Sequence, residues 1–223
     1  MRKHKLILNN IYHIYNRGVE KRKIFLEDRD YKRFIRNLII FNDIKTVTNI
    51  EHKNIEQIAI NREFLVDVLA FCLMPNHFHL LLRQVTENGI TKFMRKIGTG
   101  YANYFNVKYA RVGALFQGKF KSVLIDNESQ FIYIPHYIHL NPIDLIMPEW
   151  REKNLSKPRL AMNFLNSYKW SSYSDYTGKP RFTLVINKDI LGEYFSGTEG
   201  YYNDLESFIK DLDISNITDI ILE

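Results

Sequence analysis

Two histidines separated by one residue stand in the segment MPNHFHLLLRQ, which begins at Met74. Because side chains alternate along a strand, His77 and His79 project to one face, and Phe78 between them projects to the other. Two imidazoles on one face of a strand are well placed to bind a single metal ion. A pair of ordinary surface histidines is the alternative. The Pro75 turn and the flanking apolar residues favour a functional pair.

A tyrosine and an asparagine stand four residues apart in a second segment, PHYIHLNP, which covers residues 135–142. Tyr137 and Asn141 therefore share one face of a helix, about 6 Å apart along its axis. A phenol and an amide side by side could present a nucleophile and a metal ligand to one site. A tyrosine that packs in the core is the alternative. His139 points away from this face, and we expect it to pack or to lie on the surface.

The hydrophobic pattern around these segments predicts alternating strands and helices. Strands are predicted at residues 10–16, 65–73, 77–84 and 114–125. Helices are predicted at residues 29–43, 90–108 and 127–140, with Asp28 and Asn127 as N-caps. The order βαββαβ, followed by a helix, indicates an α+β fold of the ferredoxin-like kind. It has an antiparallel sheet, helices on one face and appended C-terminal helices.

The domain organisation follows from length and charge. Residues 1–180 are expected to form one domain, with residues 45–63 as an inserted loop or short helix. Residues 181–223 carry 3 basic and 9 acidic side chains and form an acidic C-terminal extension. The apolar spacing of Leu205, Phe208, Ile209 and Leu212 suits an amphipathic helix that docks on the domain. A solvated extension is the alternative, and the sequence leaves both open.

Positive charge is concentrated in two segments. The chain has a formal net charge of +6, with 11 basic and 4 acidic residues in 1–40 and 8 against 1 in 81–125. Basic segments in a chain with 14 Tyr and 15 Phe predict a nucleic-acid partner, with an ordinary basic surface as the alternative. The residues expected to contact the phosphates of this partner are Arg17, Arg22, Lys92, Arg95, Lys96, Lys119 and Lys121.

Several classes of protein are excluded by composition. No apolar run reaches the roughly 18 residues that a membrane span needs, so we expect no membrane association. The N-terminal segment lacks the apolar region of a secretory signal. The single cysteine, Cys72, excludes a disulfide framework and a thiolate zinc cluster. We therefore expect a cytoplasmic protein.

Five segments, taken together and in order, resemble the single-tyrosine HUH transposases, and in particular their REP-associated branch. The resemblance covers roughly residues 10–180. The segments are YHIYNRG, MPNHFHLLLR, VGALFQGKFKS, YIHLNP and YKWSSYSDY, which begin at residues 12, 74, 112, 137 and 168.

This resemblance implies an HUH endonuclease fold and a metal-dependent enzyme that cleaves and rejoins single-stranded DNA at hairpin-forming sequences. By resemblance, His77, His79 and Asn141 hold a divalent cation, Mg²⁺ or Mn²⁺, and Tyr137 is the nucleophile that forms a 5′-phosphotyrosine intermediate. Pro135 departs from a regular tyrosine helix, because it removes a backbone hydrogen bond and predicts a kink.

Two other functions stay open at this point. One is a non-catalytic, domesticated nucleic-acid-binding protein of the same fold, although a pure binding protein needs no such histidine, tyrosine and asparagine set. The other is a metal-dependent hydrolase that activates water, in which Tyr137 only packs. A monomer and a homodimer are equally compatible with the sequence.

Overall fold

A four-stranded antiparallel sheet forms the centre of the computed structural model, which describes residues 5–45, 62–152 and 155–211. Most of the predicted insert, residues 46–61, lies outside the described residues. The strand order is β2-β3-β1-β4, and each neighbouring pair is antiparallel. The strands are β1 Ile11–Arg17, β2 Val66–Met74, β3 His77–Gln84 and β4 Lys121–Ile125.

Strand β3 has a paired neighbour on each side. His79 is opposite Tyr15 of β1 and Cys72 of β2, and His77 is opposite Arg17 of β1. A tight turn at Pro75 and Asn76 joins β2 directly to β3. Both strands are almost entirely buried, which is why they read as continuous apolar runs in the sequence.

Helices cover both faces of this sheet. The crossover helices α1 Asp28–Ile40 and α2 Gly89–Lys108 lie on the face that carries Phe78, whose ring is 5.0 Å from that of Phe34. Helix α3 Glu128–Leu140 lies on the opposite face, where the Tyr137 ring is 5.8 Å from that of His79. The predicted α+β, ferredoxin-like βαββαβ fold with appended helices is confirmed, and α3 covers the face that the crossover helices leave open.

Four more α-helices follow α3 in the described part of the chain. They are α4 Pro158–Ser167, α5 Tyr173–Tyr176, α6 Asp189–Tyr194 and α7 Gly197–Asp211. Three 3₁₀-helices lie at Val19–Lys21, Asn141–Leu145 and Pro148–Glu152. Within the described part of the chain, no helix is both long and apolar enough to span a membrane.

Three predicted boundaries were wrong. Helix α1 ends at Ile40 and not at residue 43. Helix α1 is capped by Glu27, which exchanges hydrogen bonds with Asp30 in a capping box, and not by Asp28. The predicted strand at 114–125 is regular only from Lys121. Gly118 has a φ of 95°, a left-handed conformation that a strand does not accommodate, so residues 114–120 form a loop. The other predicted cap, Asn127, is confirmed by its bond from the Gln130 N–H.

Gly100 in the middle of α2 has a packing reason. A Cβ at this position would lie 2.6 Å from the ring of Phe41, which follows α1. Glycine weakens a helix interior by about 1 kcal/mol relative to alanine, but here it allows α2 to approach the end of α1 closely.

The described part of the C-terminal segment packs on the same core. Tyr201 and Leu205 of α7 are fully buried, and Asp204 lies 2.7 Å from the ring of His136 in α3. This agrees with the docking amphipathic helix, and its last predicted apolar residue, Leu212, lies outside the described residues.

A buried carboxylate joins the start of α1 to the end of α2. Asp30 accepts hydrogen bonds from the Lys108 ammonium at 2.5 Å, from the hydroxyls of Tyr104 and Tyr109, and from the Leu26 N–H. Burial raises the pKa of Asp30, but these hydrogen bonds together lower it by more. The pKa of Asp30 is therefore below its ordinary value.

We expect Asp30→Asn to lower the free energy of unfolding by about 2 kcal/mol at pH 7, because Lys108 loses its buried counter-ion and keeps only the exposed carboxylate of Glu27, at 2.6 Å. Urea denaturation measures this difference. Since the folded pKa of Asp30 is lowered, its contribution is present above the unfolded value of about 3.9 and disappears as the pH falls through the folded value.

The matched control is Asp28→Asn, an exposed carboxylate in the same helix, for which a change under about 1 kcal/mol is expected. Equal losses for the two variants would contradict a special role for Asp30.

Candidate active site

His77 and His79 stand at the start of β3, directly after the turn. Their ring centroids are 4.9 Å apart, with the ring planes nearly perpendicular. Nδ1 of His77 lies 2.6 Å from Oδ1 of Asn76, and Nδ1 of His79 lies 2.9 Å from Nε2 of His13. The Nε2 atoms of both are buried without a hydrogen-bond partner among the described residues. Each ring is therefore held at Nδ1 and offers Nε2, as metal-binding histidines do.

Both imidazoles are neutral at pH 7. Burial, with the nearby Arg17 cation acting in the same direction, lowers the pKa of His77 to about 4. Burial also lowers the pKa of His79 well below its usual value, with His77 and His13 acting in the same direction. Because only the neutral ring has a free lone pair, both side chains are in the form that binds a metal.

Tyr137 lies in the last turn of α3 next to these rings. Its ring centroid is 5.8 Å from that of His79 and 6.1 Å from that of His13, edge-on to both. The side chain is 1% exposed, and its Oη accepts a hydrogen bond of 2.9 Å from Nη1 of Arg151. The structure thus brings together the histidine segment and the tyrosine segment, although His77 and Tyr137 are 60 residues apart in the sequence.

Asn141 stands one helical turn after Tyr137, at the C-terminal cap of α3. Its Nδ2 donates to the Tyr137 carbonyl at 2.7 Å, and its Oδ1 accepts a bond of 2.9 Å from Nη2 of Arg151. The Asn141 side chain is also close enough to act on the pKa of His77. Since an amide oxygen accepts at two positions, Oδ1 retains one for a cation.

Arg151 is the central cation of this cluster, and the sequence patterns did not identify it. Its guanidinium binds the Asp144 carboxylate at two points, at 2.6 and 2.8 Å, and also contacts Tyr137 and Asn141. Burial lowers the pKa of Arg151, but Asp144 and Tyr137 raise it more, so it stays charged. No local signal marks Arg151, because only the turns after α3 bring it back to that helix.

His13 was also missed, although a signal was present. In β1 the side chains of His13, Tyr15 and Arg17 lie on one face, because they are two residues apart along the strand. The register places Tyr15 opposite His79. His13 is fully buried and holds Nδ1 of His79. The alternation in YHIYNRG predicts that His13, Tyr15 and Arg17 share one face of a strand. Only the pairing of β1 with β3 connects that face with His77 and His79.

A cavity of about 400 Å³ lies beside the histidine pair, between β1, β3 and the loop before β4. Two of the predicted DNA contacts, Arg17 and Lys121, line it. Anionic groups that enter this cavity would meet both cations next to the histidines. The lining residues are Tyr15, Asn16, Arg17, His77, His79, Gln117 and Lys121.

The other predicted DNA contacts lie elsewhere. Arg95 and Lys119 line a second cavity, and Lys92 is exposed on α2. Arg22 pairs with a neighbouring glutamate, and Lys96 donates to two backbone carbonyls of the chain after α1. The structure does not bring Arg22 or Lys96 to the histidine pair, and their contact with DNA stays a prediction.

The donor atoms fit a divalent cation. Within the described ranges, no group of three His, Cys, Asp or Glu side chains is arranged to hold a metal ion. The unpartnered Nε2 atoms of His77 and His79 and the amide oxygen of Asn141 instead form a mixed nitrogen and oxygen set. Imidazole suits transition metals better than Mg²⁺, and a site with open positions leaves room for substrate oxygens.

Comparisons with known proteins agree with this fold. A family model described as "Transposase IS200 like" matches residues 9–141. A solved structure of a REP-associated tyrosine transposase bound to a REP hairpin is similar over 85% of this chain and 92% of that chain. The identity is 12% and the TM-score 0.50, which shows a shared fold.

Two other comparisons are less informative. A Deinococcus radiodurans R1 protein, provisionally described as a transposase, is 16% identical over 62% of this chain and 95% of that chain, with a TM-score of 0.37. No curated protein matches the chain in sequence.

We expect a double-mutant cycle on Arg151→Ala and Asp144→Ala to give a coupling free energy of about 1–3 kcal/mol, because the two-point pair is largely buried. Urea denaturation of the four proteins measures it. The matched control is the exposed pair of Arg22 and Glu20, for which a coupling below about 1 kcal/mol is expected. Additive effects at Arg151 and Asp144 would show that the cluster is not held by this pair.

Proposed function

The chain belongs to the IS200-like transposase family, and we propose that it cleaves and rejoins single-stranded DNA at hairpin-forming sequences through a phosphotyrosine on Tyr137. The family match covers residues 9–141, more than half of the chain, and includes every residue of the proposed catalytic set. That set is His77, His79 and Asn141 as metal ligands and Tyr137 as nucleophile.

The observation that carries the proposal is the position of Tyr137. The Tyr137 ring lies 5.8 Å from the ring of His79, which stands 4.9 Å from that of His77, and Nε2 of each of these two neutral imidazoles is buried without a partner among the described residues. Core histidines normally satisfy such atoms with a hydrogen bond, as His139 does with Tyr201 and Ser172. A single unpartnered ring nitrogen also occurs at Nδ1 of the buried His136. Two such nitrogens on one strand face, with a tyrosine beside His79, favour a bound cation and a reaction over packing.

The proposed chemistry is an in-line displacement at phosphorus. Tyr137 Oη forms a bond to the phosphorus, and the bond from phosphorus to the 3′ oxygen breaks. The product strand carries a 5′-phosphotyrosine and a free 3′-hydroxyl, and the proton lost by the phenol is balanced by the one that the 3′ oxygen takes up. Because the phenol pKa is near 10, phenolate leaves more readily than an alkoxide, so a 3′-hydroxyl reverses the step without a nucleotide cofactor.

Arg151 supports the tyrosine in this scheme. Its Nη1 donates to Oη at 2.9 Å, and a cationic donor at this distance favours the anionic form of the oxygen. The same guanidinium contacts Asn141, so one side chain holds both the nucleophile and a proposed ligand in place. Arg17 and Lys121, in the neighbouring cavity, are placed to bind the phosphates of the strand.

A divalent cation, Mg²⁺ or Mn²⁺, would supply charge neutralisation at the phosphate when bound. His77 and His79 would hold it through Nε2, and Asn141 through Oδ1. His13 would act behind His79, since its bond to Nδ1 keeps the Nε2 atom directed away from β1.

Hairpin DNA is the proposed partner. The similar structure is described as bound to a REP hairpin, and this chain has two strongly basic segments, 1–40 and 81–125. Binding through phosphates weakens steeply with salt, and a single-stranded segment is needed to bring one phosphate to Tyr137.

We expect Tyr137→Phe to form no covalent adduct with a labelled hairpin oligonucleotide, while its affinity for that DNA is nearly unchanged. Only the hydroxyl is removed, and Arg151 keeps its bonds to Asp144. A denaturing gel measures the adduct. The matched control is Tyr133→Phe, one turn earlier in the same helix, which should form adduct like the parent protein.

The same gel separates the alternative functions. Cleavage without an adduct would indicate a hydrolase that activates water. Binding with no cleavage would indicate a non-catalytic DNA-binding protein. An adduct in Tyr137→Phe would overturn the assignment of the nucleophile.

We expect the parent protein to bind Mn²⁺, measured by calorimetry, and His77→Ala or His79→Ala to abolish both this binding and cleavage. His13→Ala should weaken Mn²⁺ binding about 10–100-fold, because it releases the ring of His79. Since the folded pKa of His77 is about 4, acid should weaken binding only as the pH approaches 4 and not near 6.5. Full cleavage in excess EDTA would contradict the metal mechanism.

A further inference from the structure

A second cavity, of about 610 Å³, lies between α2 and the loop 114–120, on the sheet face opposite the histidine pair. Its walls are largely apolar, with a few polar and charged side chains between the apolar ones. The residues that carry the argument are Met94, Phe116 and Phe120 on the walls, Arg95 and Lys119 as cations, and Gly98 on α2.

This cavity is adjacent to the one beside the histidines. Asn16 lines both, and its Nδ2 donates to the Gly118 carbonyl in the loop that separates them. Gln117 of that loop and Lys121 at the start of β4 line the histidine cavity, while Lys119 of the loop lines the second one. A strand whose phosphates lie near the histidines would therefore have its next nucleotide at the edge of the apolar cavity.

Gly98 opens the wall that α2 contributes. Glycine weakens a helix interior. Unlike Gly100, Gly98 has no close neighbour among the described residues, because a Cβ added there would meet none of their atoms within 4 Å. Its conformation does not require glycine either, since it lies in the regular part of α2. The absence of a side chain leaves this wall flat and the cavity unfilled.

The chemistry of the lining matches one kind of occupant. A nucleobase has flat apolar faces that stack on aromatic rings, and it is followed by an anionic phosphate. Phe116 and Phe120 are both half-buried in the wall, and the two charged side chains, Arg95 and Lys119, are cations. Among the described lining residues there is no carboxylate, so the cavity disfavours a cationic ligand.

We propose that this cavity receives one nucleobase of the bound single strand, next to the phosphate held beside His77 and His79. Gly98 leaves the room for the base, the phenylalanine rings contact it, and Arg95 and Lys119 bind the phosphate that follows. This rests on the proposed function only in that the ligand is single-stranded DNA.

The test compares two fluorescein-labelled probes of equal length, oligo(dT) and the corresponding abasic chain, by anisotropy in EDTA. The parent protein should bind oligo(dT) about tenfold more tightly, the effect of one stacked base. Gly98→Leu, which fills the cavity, should bind both probes with the affinity that the parent has for the abasic chain. Ala114→Leu, on the loop side of the same cavity, should also lose most of the preference.

The matched control is Gly192→Leu, at another helical glycine where an added Cβ would meet no atom of the described ranges within 4 Å. It should keep the tenfold preference. Thermal unfolding establishes that the variants are folded, and Gly98→Leu should be at least as stable as the parent, since leucine favours a helix.

An unchanged preference for oligo(dT) in Gly98→Leu would overturn the proposal. Equal weakening on both probes would also overturn it, because the cavity would then hold backbone and not a base. These outcomes are separate from the covalent adduct on the denaturing gel. If no adduct forms but Gly98→Leu loses the base preference, the base site stands and the strand-transfer function fails. If adducts form and the preference persists, only the base site fails.

Discussion

The pairing of β3 between β2 and β1 is the constraint on which the site depends. A strand with neighbours on both sides cannot shift by one residue without moving every side chain to the other face. In β3 such a shift would expose Phe78, Leu80 and Leu82 to the face of α3 and bury His77 and His79 among the crossover helices. The apolar core on one face of the sheet therefore fixes the two histidines on the other face. The same strand register determines both the core packing and the position of the histidines.

The polar groups on the α3 face of the sheet are connected by hydrogen bonds into one cluster. Arg151 binds Asp144, Tyr137 and Asn141, and each of these side chains has its hydrogen bonds satisfied largely by that one guanidinium. A buried charge without such partners would be costly, whereas a fully paired one fixes the geometry of its neighbours. The Nε2 atoms of His77 and His79 have no hydrogen-bond partner among the described residues, which leaves them available to a ligand.

The loop before β4 stands between two cavities. Its left-handed Gly118 interrupts what would otherwise be a longer edge strand, and the bond from Asn16 fixes it against β1. The interruption leaves a cavity on each side of the loop, one with two histidines and two cations, the other apolar. Gly98 and Gly100, two residues apart in α2, serve different ends, since one leaves space open and the other admits the ring of Phe41.

The sequence by itself determined the features that depend on local periodicity. Alternation put His77 and His79 on one face, helical spacing put Tyr137 and Asn141 on another, and the order of elements indicated the fold. The ends of helices and strands were harder to predict from the sequence. The N-cap at Glu27 and the loop at 114–120 both depend on exact backbone conformation, which periodicity does not report. Tertiary structure alone decided the partners. Arg151 and His13 carry no local pattern that links them to the site, and they reach it only because α3 packs on the sheet and β1 pairs with β3. Periodicity is a property of neighbouring residues, whereas a contact between His13 and His79 exists only once the whole sheet has formed.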